Sequence, residues 1–222
     1  APLSRDLFYK LKKVFHHEIL ERAGMSESMM NFSNPYNGER IPGSVGPCLP
    51  GVKVRITDKN FNDVPVNTEG EILIKGPNVF NGYWNKPSYN KHVFKDGWFI
   101  TGDVGKIDEK GYVYLIGRSK DVIISGGINI YPREIEDVIE SMPQVKECAV
   151  VGVLDKEFGE SVKAYIVLNG ETKLTEDEVI AYCKERLASF KKPKFVEFID
   201  ALPKNTMGKI LKEELRKRHK RK

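Results

Sequence analysis

The sequence predicts an α+β fold in two parts, a β-rich first part over residues 1–118 and a small α+β domain over 119–222. Three observations carry this. From Pro42 to about Gly117, short runs of β-forming residues are densely punctuated by glycine and proline, as in a small barrel or multi-strand sheet. After Gly117 the pattern becomes helix, strand, strand, helix, strand, a compact α+β unit of about a hundred residues. Between them lies the polar junction Gly117-Arg118-Ser119-Lys120-Asp121. With 222 residues and 40% hydrophobic content, the chain can bury a core and hold one domain or two modest ones.

In order along the chain, Leu7, Phe8, Leu11, Val14 and Phe15 recur at helical spacing and predict an amphipathic helix over 5–15. A short strand running into a loop follows. Strands are predicted at Val52–Ile56, Glu71–Ile74 and Trp98–Ile100, and Asp108-Glu109-Lys110-Gly111 joins Val104–Ile107 to Tyr112–Ile116 as a hairpin with Gly111 at positive φ. Pro132 suits a first helical turn, and Ile135, Val138, Ile139 and Met142 form one apolar stripe. Val145–Val153 and Val162–Leu168 read as strands. Thr175 and Glu178 make a capping box before a helix that buries Val179, Tyr182, Cys183 and Leu187.

Composition excludes several classes. No stretch approaches the roughly 20 apolar residues that cross a bilayer, and Ala1-Pro2-Leu3-Ser4-Arg5-Asp6 has no apolar signal region, so no membrane partner is expected. The absence of an initiator Met suggests a fragment. Cys48, Cys148 and Cys183 are widely spaced, which argues against a disulfide framework or zinc site and for a reducing, cytoplasmic setting. The net charge of +5 is concentrated in Arg216–Lys222, read as a solvated, frayed tail. Without a groove-entering helix or stacking aromatics, no nucleic-acid partner is expected.

Three motifs then point one way: Trp98-Phe99-Ile100-Thr101-Gly102-Asp103; Gly117-Arg118-Ser119-Lys120-Asp121-Val122-Ile123 running to Gly126-Gly127 and Pro132-Arg133-Glu134-Ile135-Glu136; and Pro203-Lys204-Asn205-Thr206-Met207-Gly208-Lys209. Each is weak alone. In this order and at these separations they resemble the adenylate-forming acyl-CoA synthetases, over essentially the whole chain.

The resemblance implies a two-step reaction with MgATP, a small-molecule carboxylate and CoA. The carboxylate attacks the α-phosphorus to give an acyl-adenylate and pyrophosphate, and the CoA thiol then displaces AMP. It also implies the fold placement, with 1–118 the distal part of a large N-terminal domain and 119–222 a small mobile C-terminal domain. Lys209 matches the lysine that reaches the carboxylate and α-phosphate oxygens during adenylation, where two anions must meet. Asp103 matches the aspartate that accepts from the vicinal ribose hydroxyls, although a turn or cap also suits Gly-Asp. Arg118 matches the ribose- and phosphate-side arginine. Lys120 matches the hinge, and Ser125-Gly126-Gly127 the turn that meets the pantetheine arm of CoA.

Upstream, Gly24-Met25-Ser26-Glu27 resembles the motif in which the hydroxyl of Ser26 meets the α-phosphate and Glu27 serves Mg²⁺. The aromatic residue usual before that glycine is Ala23. The run from Gly24 to Asn31, followed by Asn34-Pro35-Tyr36-Asn37-Gly38-Glu39-Arg40-Ile41-Pro42-Gly43, resembles the malonyl-CoA synthetase branch and places Met30 beside the acyl pocket. Methylmalonate or a fatty acid is the alternative substrate. The family's Ser/Thr/Gly-rich loop ending in Pro-Lys-Gly is not in this sequence, and Gly208-Lys209 lacks the glycine five residues before the lysine that a Walker loop needs. A catalytic fragment lacking the N-terminal part of its own enzyme is therefore expected, active only when complete. A standalone binding or regulatory domain derived from such a ligase is the alternative, and it has no reason to keep Asp103, Arg118 and Lys209 together.

Overall fold

The structure, a computed structural model, describes Leu3 and residues 5–220. Ala1, Pro2 and Ser4 of the leading run, and Arg221 and Lys222 of the basic tail, lie outside the described residues. The chain separates between Ser119 and Lys120 into two compact units, and its architecture is α+β.

The first unit begins with α1 (Arg5–Phe15), at the predicted limits. Its stripe is only partly used: Phe8 is buried, while Leu7, Val14 and Phe15 are exposed. The predicted single strand is instead a hairpin of β1 (Arg22–Met25) and β2 (Met29–Ser33). A sheet follows, made of β3 (Lys53–Thr57), β4 (Gly70–Lys75), β5 (Phe94–Lys95), β6 (Trp98–Ile107) and β7 (Val113–Arg118), in the order β3-β4-β6-β5 with β7 also paired to β6. Ile72, Leu73 and Ile74 of β4 are all buried, as in a central strand covered on both faces. Trp98–Ile100 and Val104–Ile107, predicted as separate strands, are one ten-residue strand, which continues through Gly102 at φ +70 with a shift in its register against β4. The hairpin to β7 forms as predicted, with Gly111 at φ +82. Before β5 a short α2 (Pro87–Val93) buries no residue, so no apolar period announced it.

The second unit is built on β8 (Ile123–Ser125), β9 (Ile128–Ile130), β10 (Val145–Asp155), β11 (Gly159–Leu168) and β12 (Phe195–Phe198), in the order β10-β11-β8-β9 with β12 parallel to β11. Three helices pack on it: α3 (Pro132–Glu140), α4 (Glu176–Arg186) and α5 (Lys212–Lys220). Alternate residues serve two cores. Cys148, Val150, Val162, Ala164 and Ile166 meet Ile135, Ile139, Val179 and Cys183 from α3 and α4. Ala149, Val151, Val153, Tyr165 and Val167 meet Leu202 and Leu215. The three cysteines are free, and burial pushes the Cys183 thiol up to about 11.

The capping box starts α4: Thr175 Oγ1 accepts from the Glu178 amide at 3.3 Å, and Glu178 Oε2 accepts from the Thr175 amide at 2.8 Å. The frayed-tail expectation is corrected through Lys220. Residues 212–220 are helical, Leu215 is buried, and its carbonyl accepts from Tyr165 Oη at 2.9 Å. Arg216 pairs with Asp121 and Arg218 with Glu197, both at 2.9 Å. One buried leucine, contributing about 2 kcal/mol, and these ion pairs outweigh the polarity that made the segment read as solvated.

Candidate functional site

In the first unit, β1 and β2 are joined by Ser26-Glu27-Ser28, with Met29 left-handed at φ 54, a three-residue hairpin loop. The register shifts between Ala23 and Gly24, and a Cβ on Gly24 would lie 1.8 Å from the Met29 carbonyl oxygen, so only glycine fits. Beneath the loop, the Asn78 side chain donates to the carbonyls of Ser28 (2.6 Å) and Met30 (3.3 Å) and to Asn31 Oδ1 (3.0 Å). Asn31 donates to Ser28 Oγ at 2.9 Å. These bonds fix a tip on which Ser26 is exposed and Glu27 half-buried. Met30 is half-buried, and Ala23 packs toward the unit's core.

Glu27 Oε1 accepts from Tyr83 Oη at 2.8 Å. Burial, and then this bond and the carboxylate's charge, push the Tyr83 phenol up to about 12, so it stays a donor. Among the described residues no three His, Cys, Asp or Glu gather to hold a metal. Glu27, a single oriented carboxylate beside an exposed hydroxyl, fits Mg²⁺ only in the manner in which one carboxylate and substrate phosphates share that ion.

On the sheet, Asp103 and Arg118 are cross-strand partners. Arg118 Nε donates to Asp103 Oδ1 at 2.9 Å, and its Nη1 donates to the Thr101 carbonyl at 3.1 Å. Thr101 Oγ1 accepts from the Asp103 amide at 3.0 Å and donates to the Ile72 carbonyl at 2.7 Å. The pair is too exposed to contribute more than about 1 kcal/mol of stability; its effect is orientation. Together these bonds hold a carboxylate able to accept from two neighbouring hydroxyls, with a guanidinium beside it for phosphate oxygens.

Ser119 Oγ donates to Glu71 Oε1 at 2.9 Å within the first unit. In the second, Asp121 accepts from Arg216 at 2.9 Å. Lys120 lies exposed between these two anchors, in a 3₁₀ turn over Ser119–Asp121.

Also in the second unit, Gly126 and Gly127 form the two-residue turn between β8 and β9, at φ +57 and +80, the doubly left-handed geometry such hairpins need. The Gly126 amide donates to the Phe158 carbonyl at 2.8 Å. A Cβ on Gly127 would meet nothing within 4 Å, so that side of the turn is open. Phe158 lies in the β10–β11 turn, which Asp155 organises. Lys194, then Ser161, then the Glu157 and Phe158 amides hold the Asp155 carboxyl well below the usual carboxylate range.

Lys209 is exposed near the end of a loop between β12 and α5. Lys204 and Ile210 bridge its base, and Asn205 closes its interior: the Asn205 amide donates to the Lys209 carbonyl at 2.9 Å. Asn205 Oδ1 accepts from the amides of Met207 (3.0 Å) and Lys209 (2.9 Å). The loop is thus ordered up to the residue that carries the amine.

Sequence reasoning found the members of each motif but not Tyr83, Asn78 or Thr101 as supports. Tyr83 lies 56 residues from Glu27 and Asn78 lies 50 from Ser28, and neither carries a local signal. Thr101 lies inside a quoted motif, where its hydroxyl was the available clue.

The family model for AMP-binding enzymes matches residues 1–84, and that for the AMP-binding enzyme C-terminal domain matches residues 134–209. The chain belongs to this family of AMP-binding, acyl-CoA-synthetase-like enzymes. A long-chain-fatty-acid–CoA ligase of Yersinia pestis is 40% identical over 216 residues, covering 97% of this chain and 38% of the relative. The crystal structure of ATP-bound MatB from Rhodopseudomonas palustris superposes with a TM-score of 0.95 at 50% identity, covering 99% of this chain and 44% of that one. O-succinylbenzoate coenzyme A synthetase of Bacillus subtilis, in complex with AMP, gives 0.86 at 35% identity, covering 97% and 44%. The chain spans less than half the length of these relatives.

Proposed function

We propose that the chain is the C-terminal portion of an AMP-forming acid–CoA ligase acting on malonate in the cytoplasm, with residues 1–118 belonging to its large domain and 119–222 forming its small mobile domain. The observation that carries this is the cross-strand Asp103–Arg118 pair, held by Thr101 in the geometry that a ribose and its neighbouring phosphate need. A binding module has no chemical use for Lys209 as well, yet its loop is ordered by Asn205.

In the adenylation step a carboxylate oxygen bonds to the α-phosphorus of ATP as the bond to pyrophosphate breaks. Lys209 supplies the positive charge that offsets repulsion between the two anions, and Ser26 donates to the α-phosphate. Mg²⁺, when bound, neutralises phosphate charge, and Glu27, held by Tyr83, is the residue that would share it. In the second step the CoA thiolate attacks the acyl carbon and AMP leaves with the C–O bond electrons. The open face of Gly126-Gly127 lets an extended pantetheine arm approach the backbone. Lys120, between the Ser119 and Asp121 anchors, is where the backbone turns between the steps.

The malonate reading rests on the Gly24–Gly43 run, with Met30 beside the acyl pocket, and on the 50% identity to MatB, a malonyl-CoA synthetase. Identity to the Yersinia long-chain-fatty-acid–CoA ligase is 40%, which favours the shorter substrate. The exposed Val14 and Phe15 of α1 support the fragment reading. The test is to assay acyl-CoA formation by the chain alone and by the chain joined to its own upstream region, offering malonate, methylmalonate and a long-chain acid. The joined protein turns over malonate fastest and the chain alone stays at the no-protein level. Turnover by the chain alone contradicts the fragment reading, and preference for the long-chain acid contradicts the substrate.

A further inference from the structure

One buried charge in the second unit has no part in the chemistry above. Glu136, on α3, is 7% exposed. Its Oε1 accepts from the Val150 amide at 2.9 Å and from Lys212 Nζ at 2.7 Å. β10 pairs with β11 on one side only, so the Val150 amide lies on the sheet's open edge and needs an acceptor there. A neutral glutamine would serve that amide. A carboxylate, costly to bury, is explained by the second partner: Lys212, the first residue of α5, whose side chain is 18% exposed.

Lys212 stands three residues after Lys209, where the loop carrying the amine enters α5. The loop's other root is Lys204, whose Nζ meets Glu147 Oε1 at 2.5 Å. That pair is about one-third exposed on both sides, so solvent screens it. Between the roots, Leu211 donates to the Pro203 carbonyl at 2.8 Å, Lys204 bridges Ile210, and Asn205 fills the interior. The buried root is therefore the one able to set the loop's register against the sheet.

We propose that Glu136 is a positioning residue for Lys209: by clasping Lys212 and the open edge of β10 at once, it fixes the base of the loop from which the Lys209 amine reaches out. Its catalytic meaning rests on the adenylation role given to Lys209; its structural content does not. Amide hydrogen exchange on the 222-residue chain separates the two. Glu136→Gln keeps the acceptor for Val150 and removes the charge, and Lys212→Met removes the cation. Each raises exchange at the Met207 and Lys209 amides about tenfold, while amides of the β10–β11 ladder such as Tyr165 are unchanged. The double variant goes no further than either single one, because both remove the same ion pair.

Unchanged exchange in the loop, or an equal rise throughout the second unit, overturns the proposal. In the joined enzyme, Glu136→Gln slows adenylation about tenfold and leaves thioester formation from pre-made acyl-adenylate intact. Lys209→Ala is run beside it. If Lys209→Ala leaves adenylation unaltered, the catalytic reading of that lysine fails while the exchange result stands. If Lys209→Ala slows adenylation and Glu136→Gln does not, the positioning role fails.

Discussion

The two units carry their candidate functional residues in opposite ways. In the first, Asp103 is bonded to Arg118 and Thr101, and Glu27 to Tyr83, so each carboxylate is held from the side by partners on the sheet or a neighbouring loop. In the second, Gly127 stands at a turn with open space beside it and Lys209 on an exposed loop, and the supporting bonds are made by the backbone of these segments, which leaves the Lys209 side chain exposed. Groups that hold a nucleotide through both steps need fixed orientation. Groups that act in one step and then leave need a firm root and a free tip. The difference teaches that substitution should cost the first unit in both steps and the second in one.

The largest expected effect tests the first unit's rigidity. Gly24→Val puts a side chain into the Met29 carbonyl and destabilises the hairpin by about 3 kcal/mol, read as a lowered denaturant midpoint of the chain; an unchanged midpoint means the turn is looser than described. Asp103→Ala in the joined enzyme lowers both half-reactions by about 10²-fold, and loss in only one would erase the contrast between the units. Gly127→Val meets no atom but must sit at φ +80, a strain of about 1–2 kcal/mol. It slows the CoA step about tenfold, with adenylation unaltered, as separate assays of the two steps would record. Thr175→Ala removes the α4 cap and costs about 1 kcal/mol of stability with no change in either half-reaction. A kinetic effect there would mean that the second unit's scaffold, and not only its turns, enters the chemistry.

Local patterns made much of this legible. The apolar spacing over 5–15 gave α1 its limits, Thr175 and Glu178 announced α4, and Val162, Ala164 and Ile166 marked the face of β11 that meets α3 and α4. The opposite face, with Tyr165 and Val167, is buried too, and the helix that covers it was hidden because Leu215 is a lone apolar residue among lysines, arginines and glutamates. α2 escaped notice because it buries nothing. The candidate site motifs could be picked out because the residues of each lie near one another in sequence. Their supports were not: Lys212 lies 76 residues from Glu136, and only folding reveals that they meet.

The central claim, that fixed groups of the first unit serve both steps while Lys209 serves one, is tested most directly by a single comparison. Lys209→Ala in the joined enzyme is supplied first with ATP and malonate, then with pre-made malonyl-adenylate and CoA, and each rate is set against the unmutated enzyme. Loss of the cation that offsets carboxylate–phosphate repulsion lowers adenylation by about 10²-fold or more, about 3 kcal/mol, while thioester formation from the adenylate proceeds at the unmutated rate. If both rates fall by the same factor, Lys209 acts throughout or only as structure, and the contrast between the two units is wrong.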